Sequence, residues 1–263
     1  MAGKIPVSVL IMTRNEAARI DRCLAALTDF DEVIVVDSGS TDETRTRAAA
    51  AGAAVIDFTW NGHYPKKRQW CLDHLALKHE WVFFVDADEV VTPALAEDMR
   101  GLDFSAAGYF VAGQYVFEGR VLRHGFRNNK LALLDRRRMA FPVVDDLDLP
   151  GMGEIEGHYQ PRLKPGYETD RIGFLKAPLI HDAYDDPAAW EARHRRYAAW
   201  EAGMNARRAW PEEDRVYRRA LKALFRRLPF RSAAAFFHCY VLKAGFLDGG
   251  PGYRFARSRA AYY

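Results

Sequence analysis

Trp81-Val82-Phe83-Phe84-Val85-Asp86-Ala87-Asp88-Glu89 is an apolar run of strand length that stops abruptly at two carboxylates spaced i, i+2. In extended chain, residues two apart project to the same side, so Asp86 and Asp88 converge on one spot at the carboxyl end of a strand. Open α/β sheets bind their ligands at that end. Two acids aimed at one point repel unless a cation lies between them, and hard oxygen donors suit Mg²⁺ or Mn²⁺.

Working backwards from this strand, the first hundred residues alternate strand and helix signals, the pattern of a parallel sheet covered by helices. Val7 to Met12 reads as a buried strand, followed by a helix on which Ile20, Leu24 and Leu27 recur at helical spacing, with Asn15 as its expected N-cap. Glu32 to Asp37 is a second strand. Ser40-Thr41-Asp42-Glu43 carries the capping-box pattern before an Ala-rich helix. Ala53 to Asp57 forms a third strand, and Pro65 is placed to open a third helix. From Gly108 to about Phe141 the periodicity changes to two, which predicts added β structure. Residues 142–170, rich in Pro, Gly and acids, read as a long loop.

The 263 residues are 49% hydrophobic and 28% charged, which places the chain among ordinary globular proteins. Cys23, Cys71 and Cys239 form no CxxC pair, so neither a disulfide framework nor a zinc site is indicated, and a reducing cytoplasm fits. No signal peptide and no bilayer-length apolar stretch is evident. The net charge of +3 conceals an asymmetry: residues 1–189 sum to −7 and residues 190–263 to +10. A basic tail of this kind expects an anionic surface as partner. Within it Trp190, Tyr197, Trp200 and Met204 share a helical face. Tyr217, Ala220, Leu221, Leu224, Phe225 and Leu228 form an apolar stripe opposite Arg218, Arg219, Lys222, Arg226 and Arg227, the pattern of an interfacial helix. Aromatics at helical spacing read as packing rather than as a base-stacking platform, so nucleic acid is not an expected partner.

No GxGxxG, GxxxxGK[ST], HExxH or GxSxG occurs, which removes the usual warrant for dinucleotide enzymes, P-loop NTPases, zincins and α/β-hydrolases. Three segments instead, Val9 to Glu16, Val35-Val36-Asp37-Ser38-Gly39-Ser40-Thr41-Asp42, and Val85 to Glu89, resemble in order and spacing the signatures of family-2 glycosyltransferases with the GT-A fold. Phe58 to Gln69, and Tyr240-Val241-Leu242-Lys243-Ala244-Gly245-Phe246-Leu247-Asp248-Gly249, further resemble the lipopolysaccharide-core glucosyltransferase branch.

The resemblance implies an α/β GT-A domain over residues 1–189, with a nucleotide-sugar half (1–100) and an acceptor half (101–189), followed by a basic helical extension over 190–263. It implies that Thr13, Asn15 and Glu16 border the nucleotide and that Asp37 accepts from a uracil N3–H. Asp86 would approach the ribose, and Asp88 would hold a Mg²⁺ or Mn²⁺ with His181 as a further ligand. Lys66, Lys67 and Arg68, opening the third helix, would neutralise phosphate or seat the base. A carboxylate must accept the proton of the attacking hydroxyl. Glu156 is the first candidate, then Asp146 and Glu154.

The expected activity is inverting transfer of a hexose from a nucleotide-diphosphate sugar, a UDP-sugar by preference, to a glycan or glycolipid acceptor in cell-envelope or lipopolysaccharide synthesis. The basic tail would hold the enzyme peripherally at the cytoplasmic face of the membrane. The alternatives are a sugar nucleotidylyltransferase, whose glycine-rich loop Thr13-Arg14-Asn15-Glu16 lacks, and a sugar-nucleotide-binding scaffold without catalysis.

Overall fold

The computed structural model describes residues 3–157, 159–182, 187–211, 220, 221, 224, 225 and 229–262. The chain divides into two compact units. The first comprises residues 1–114, 128–143 and 154–183, and the second residues 115–127, 144–153 and 184–263. The second unit therefore contains the basic tail and two segments from the middle of the chain.

The first unit is built on β1 (Ile5–Thr13), α1 (Ile20–Ala25), β2 (Phe30–Asp37), α2 (Thr44–Ala50), β3 (Ala54–Asp57), α3 (Lys67–His74) and β4 (Trp81–Asp86). It continues with β5 (Glu89–Val90), α4 (Pro93–Arg100) and β6 (Gly108–Phe117), whose last three residues belong to the second unit. In the second unit β7 (Arg120–Val121) returns along the end of β6 through Glu118 and Gly119, both at positive φ as a tight hairpin requires. The first unit then adds β8 (Asn128–Asp135), β9 (Met139–Ala140), β10 (Arg162–Leu163), β11 (Ile172–Phe174) and β12 (Leu179–His181).

The main sheet runs β3-β2-β1-β4-β8-β6-β12-β5, with β11 alongside β6. Pairings among β3, β2, β1 and β4 are all parallel. Beyond β4 the sheet becomes mixed, because β8 is antiparallel to both β4 and β6. The alternation of side chains explains the central position of β1. Val7, Val9 and Ile11 enter one core with α1 and α4, while Leu10 enters a second core with Cys71 and Leu72 of α3. A strand buried on both faces reads as a continuous apolar run, as Val9 to Met12 of β1, Val33 to Val36 of β2 and Trp81 to Val85 of β4 do.

Two local expectations fail for identifiable reasons. Asn15 does not cap α1, whose N-cap is Arg19 without a side-chain bond. Asn15 instead adopts φ 57° and accepts from the Thr41 N–H at 2.8 Å, tying the loop after β1 to the loop after β2. Nor does Ser40 open a capping box: α2 starts at Thr44, and the Thr44 N–H is met at 3.0 Å by Asp42. The Ser40 hydroxyl instead accepts from the Asn15 N–H at 2.8 Å, so both residues are spent on the contact between the two loops. The 142–170 segment contributes β10, which pairs antiparallel with β9 just before it.

The second unit gathers around α5 (Pro187–Arg207). Trp190, Trp200 and Met204 are buried, so the aromatic face of this helix is a packing face. Trp190 meets the rings of Tyr115, Phe117 and Phe255, and its indole N–H donates to Ser258 at 2.6 Å. α6 (Arg231–Phe237), a π-helical turn over His238–Leu242, a 3₁₀ turn over Gly245–Asp248 and α7 (Gly249–Ala260) complete it. The basic helix expected over 217–228 lies outside the described residues except for Ala220, Leu221, Leu224 and Phe225. Among the described residues no helix is long and apolar enough to cross a membrane. The three cysteines are free and buried.

Candidate active site

The carboxyl ends of β1 and β2 make a polar latch. Asp37 is fully buried. Its Oδ2 accepts from the Thr13 hydroxyl at 2.8 Å and from the Ser40 hydroxyl at 2.6 Å, and Oδ1 accepts from the Ser40 N–H at 2.7 Å. Burial pushes this carboxyl upward, yet the Ser40 and Thr13 bonds prevail and hold it below the usual range. The Asn15 N–H donates to the Ser40 hydroxyl at 2.8 Å and the Glu16 N–H to the Thr44 hydroxyl at 2.7 Å. Thr13, Asn15, Glu16 and Asp37 therefore form one connected wall.

At the end of β4 a second cluster collects around Asp86, Asp88 and Glu89. Glu89 is fully buried and accepts from the Asp86 N–H at 2.9 Å. β12 pairs antiparallel with β5, placing His181 directly opposite Glu89. The imidazole Nδ1 lies 3.1 Å from Glu89 Oε1, and Nε2 lies 3.9 Å from Asp88 Oδ2. Lys130, on β8, bonds to Glu89 and reaches Asp86 Oδ2 at 3.2 Å. Arg68, on α3, donates to Asp86 Oδ1 at 2.8 Å.

These charges divide the two strand-end acids electrostatically. Burial works to raise Asp86, but Lys130 and Arg68 outweigh it and hold the carboxyl well below the ordinary range. Asp88 is raised by burial, with His181 opposing and the charges of Asp86 and Glu89 reinforcing the rise. His181 is raised despite its burial, because Asp88 and Glu89 favour the charged ring. Asp88 Oδ1 is buried and has no hydrogen-bond partner. A buried carboxylate oxygen without a donor is costly, and a cation would relieve it.

The start of α3 links the two clusters. Lys67 Nζ donates to the Thr13 carbonyl at 3.1 Å and to the Ser38 hydroxyl at 2.7 Å, while Arg68 reaches Asp86 as above. Burial lowers Lys67. Lys66 is fully buried, bonds to the Ile155 carbonyl at 3.2 Å and sits over the Tyr64 ring.

Two of the three base candidates meet the same helix. Glu156 is buried and accepts from the Arg68 and Gln69 N–H groups at 3.1 and 3.0 Å, capping α3. Burial raises its pKa. It also lines a cavity of about 390 Å³ with Tyr64, Gln69, Phe141 and Pro142. Glu154 accepts from Ser38 and lies 3.8 Å from Lys67 Nζ. Asp146 belongs to the second unit, where it is buried and accepts from the Trp200 indole N–H at 3.2 Å.

The sequence pattern points to no role for Glu89 or Lys130. Glu89 was visible as the last residue of the strand-end motif, and Lys130 as a charge opening the apolar run Leu131 to Leu134. Among the described residues no group of three or more His, Cys, Asp or Glu is arranged to hold an ion unaided. Asp88 and His181 are the two groups of this cluster that could donate to an ion.

This chain belongs to glycosyl transferase family 2, whose model matches residues 8–151. The fold is that of a GT-A glycosyltransferase, as the resemblance implied. Mannosyltransferase PcManGT from Pyrobaculum calidifontis, solved with GDP-Man and Mn²⁺, superposes with a TM-score of 0.53 over 98% of this chain and 85% of its own, at 18% identity. Lipopolysaccharide core biosynthesis glycosyltransferase LpsC of Rhizobium meliloti is 35% identical over 106 residues, 37% of each chain. An uncharacterized glycosyltransferase of Rickettsia bellii is 38% identical over 95 residues, 36% of this chain and 31% of that one. The chain thus spans about a third of the length of the curated relatives it matches.

Proposed function

We propose that this chain is an inverting glycosyltransferase that moves a hexose from a nucleotide-diphosphate sugar, a UDP-sugar, to a glycan or lipid-linked glycan acceptor of the cell envelope. The observation that carries the reading is the buried, partnerless Asp88 Oδ1 beside His181, next to an Asp86 kept ionised by Arg68 and Lys130. That donor set fits a hard divalent cation, Mg²⁺ or Mn²⁺, held by Asp88 and His181 and completed by diphosphate oxygens. When bound, the ion supplies Lewis-acid stabilisation of the departing diphosphate.

The chain's own residues account for the remaining requirements. The wall of Thr13, Asn15, Glu16 and Asp37 would seat the nucleoside, and Asp37 retains acceptor capacity for a base N–H beyond the three bonds it makes. Asp86 would meet the ribose. Arg68 and Lys66 would bring positive charge to the phosphate side, Arg68 through its contact with Asp86. Glu156 is our first candidate for the base. Burial raises its pKa, and each oxygen keeps a lone pair after capping α3. Asp146 and Glu154 are the second and third. The similarity to LpsC supports a lipopolysaccharide-type acceptor. The +10 excess of residues 190–263 supports peripheral attachment at the cytoplasmic face of a membrane.

A scaffold that binds the sugar nucleotide without turning it over is the second reading, favoured by the capping bonds that occupy Glu156. Calorimetry of UDP and GDP with and without Mn²⁺, on wild type and Asp88→Ala, tests the proposal. Mn²⁺-dependent UDP binding abolished by the substitution is the expected result. Failure of the wild type to bind either nucleotide would overturn it. Binding without any glucose, galactose or mannose transfer or hydrolysis would leave the scaffold.

A further inference from the structure

The segment Tyr240 to Gly249, singled out in the sequence, takes no part in the nucleotide wall or the carboxylate cluster. In the second unit it forms the tip between α6 and α7, and this tip exposes apolar side chains in close succession. Phe237, Val241, Leu242, Phe246 and Leu247 are all exposed, Leu242 by 65% and Leu247 by 60%. Lys243 stands exposed among them. Scattered surface leucines need no explanation, but five large apolar residues within eleven positions form a patch.

The patch is held rigidly. The Lys243 and Ala244 N–H groups close the turn onto the His238 and Val241 carbonyls at 2.9 and 3.0 Å. Ala244 adopts φ 56°, which turns the chain sharply after the π-helical turn. Behind it the backbones nearly touch: a Cβ on Gly252 would lie 2.1 Å from the Gly245 carbonyl oxygen. The loop after β7 fastens the other side, the Gly125 N–H donating to the Lys243 carbonyl at 2.8 Å. Asp248, the acid of the segment, accepts from the Arg123 and His124 N–H groups at 3.1 and 2.8 Å. Its charge is therefore engaged within the unit. The apolar groups at the tip are preorganised rather than loosely strung.

We infer that residues 237–247 are a bilayer-docking tip that inserts Leu242, Phe246 and Leu247 into the interface of an anionic phospholipid membrane, with Lys243 among the headgroups. The inference rests on, and sharpens, the reading that the tail meets a membrane. Charge complementarity selects the occupant, since residues 190–263 carry 16 Lys and Arg against 6 Asp and Glu. Apolar insertion and attraction to anionic lipid act together in this mode of binding.

The test is co-sedimentation of the full chain with vesicles of phosphatidylglycerol and phosphatidylethanolamine, and with pure phosphatidylcholine, at low salt. Wild type should bind the anionic vesicles at least tenfold more tightly than the neutral ones. The triple variant Leu242→Ser, Phe246→Ser, Leu247→Ser should lose at least tenfold on anionic vesicles, and Lys243→Glu several-fold. Leu221→Ser with Leu224→Ser, which removes exposed apolar groups elsewhere in the tail, should lose less. Equal sedimentation of the triple variant and wild type would overturn the inference. So would absence of wild-type binding, or a wild-type dimer that the triple variant dissolves without any vesicle binding. Thermal melts confirm that each variant is folded. UDP calorimetry on the same preparations separates the two readings: absence of UDP binding in wild type counts against the transferase, and vesicle binding that the triple variant loses counts for the tip regardless.

Discussion

His181 Nδ1 lies 3.1 Å from Glu89 Oε1, which turns the opposite ring nitrogen towards Asp88. A carboxylate behind a histidine fixes its tautomer and raises its basicity, and losing such a partner typically costs roughly 10–100-fold in metal affinity. Glu89→Gln should therefore weaken Mn²⁺-dependent UDP binding by about that factor while leaving the fold intact by circular dichroism. Metal affinity equal to wild type in a folded Glu89→Gln protein would remove Glu89 from the site.

Asp37 and Ser40 define the next expectation. Two Ser40 groups and the Thr13 hydroxyl converge on one buried carboxylate. Asn at this position keeps one acceptor oxygen and turns an amide on the remaining donors. Bonds to a charged group contribute about 1.5–3 kcal/mol each, so Asp37→Asn should lower unfolding free energy by about that amount in urea titration. It should also weaken UDP binding, because the wall that Thr13 and Asn15 form would lose its anchor.

Acid sensitivity should trace in part to Asp135. This buried carboxylate accepts from the Arg137 side chain at 2.9 and 2.7 Å and from Arg138 Nε at 2.9 Å. Burial alone would raise its pKa, but the Arg137 bonds and the two guanidinium charges bring it below the ordinary 3.8. A carboxyl whose folded pKa is depressed binds protons more readily when unfolded. Its contribution is fully present above about pH 4 and disappears as the pH falls through the lower folded value. Urea midpoints measured from pH 6 down to pH 2.5 should fall less steeply for Asp135→Asn than for wild type. Parallel slopes would exclude this linkage.

What could be read from the sequence and what could not follows the distance over which each feature is determined. β1, β2 and β4 declare themselves through apolar runs that end in polar residues, because burial on both faces is a property of the strand itself. Asp86 and Asp88 were legible for the same reason, two residues apart on one strand end. Asn15 and Ser40 were misread as helix caps because a local capping pattern and a contact between two loops use the same residue types. Lys130 was invisible as a site residue, since it reaches Glu89 across 41 positions and only the antiparallel pairing of β8 with β4 brings it there. Asp146 is similar: 54 positions separate it from Trp200, and no periodicity reports that contact.

Lys130 carries the final prediction. It pairs with Asp86 and Glu89, and Glu89 is fully buried, so removing the ammonium leaves Arg68 on Asp86 and only the His181 ring on Glu89. Breaking a buried ion pair by deleting one partner typically costs about 3–5 kcal/mol, most of it the uncompensated charge that remains. Lys130→Met should show a loss of that order in chemical denaturation at pH 7. If uncompensated charge is the cause, neutralising the stranded acid must restore stability. The double variant Lys130→Met, Glu89→Gln should then be more stable than Lys130→Met alone, a non-additivity that a double-mutant cycle reads directly. Simple additivity of the two losses would mean that Lys130 supports β8 through its packing and not through the acids at the end of β4.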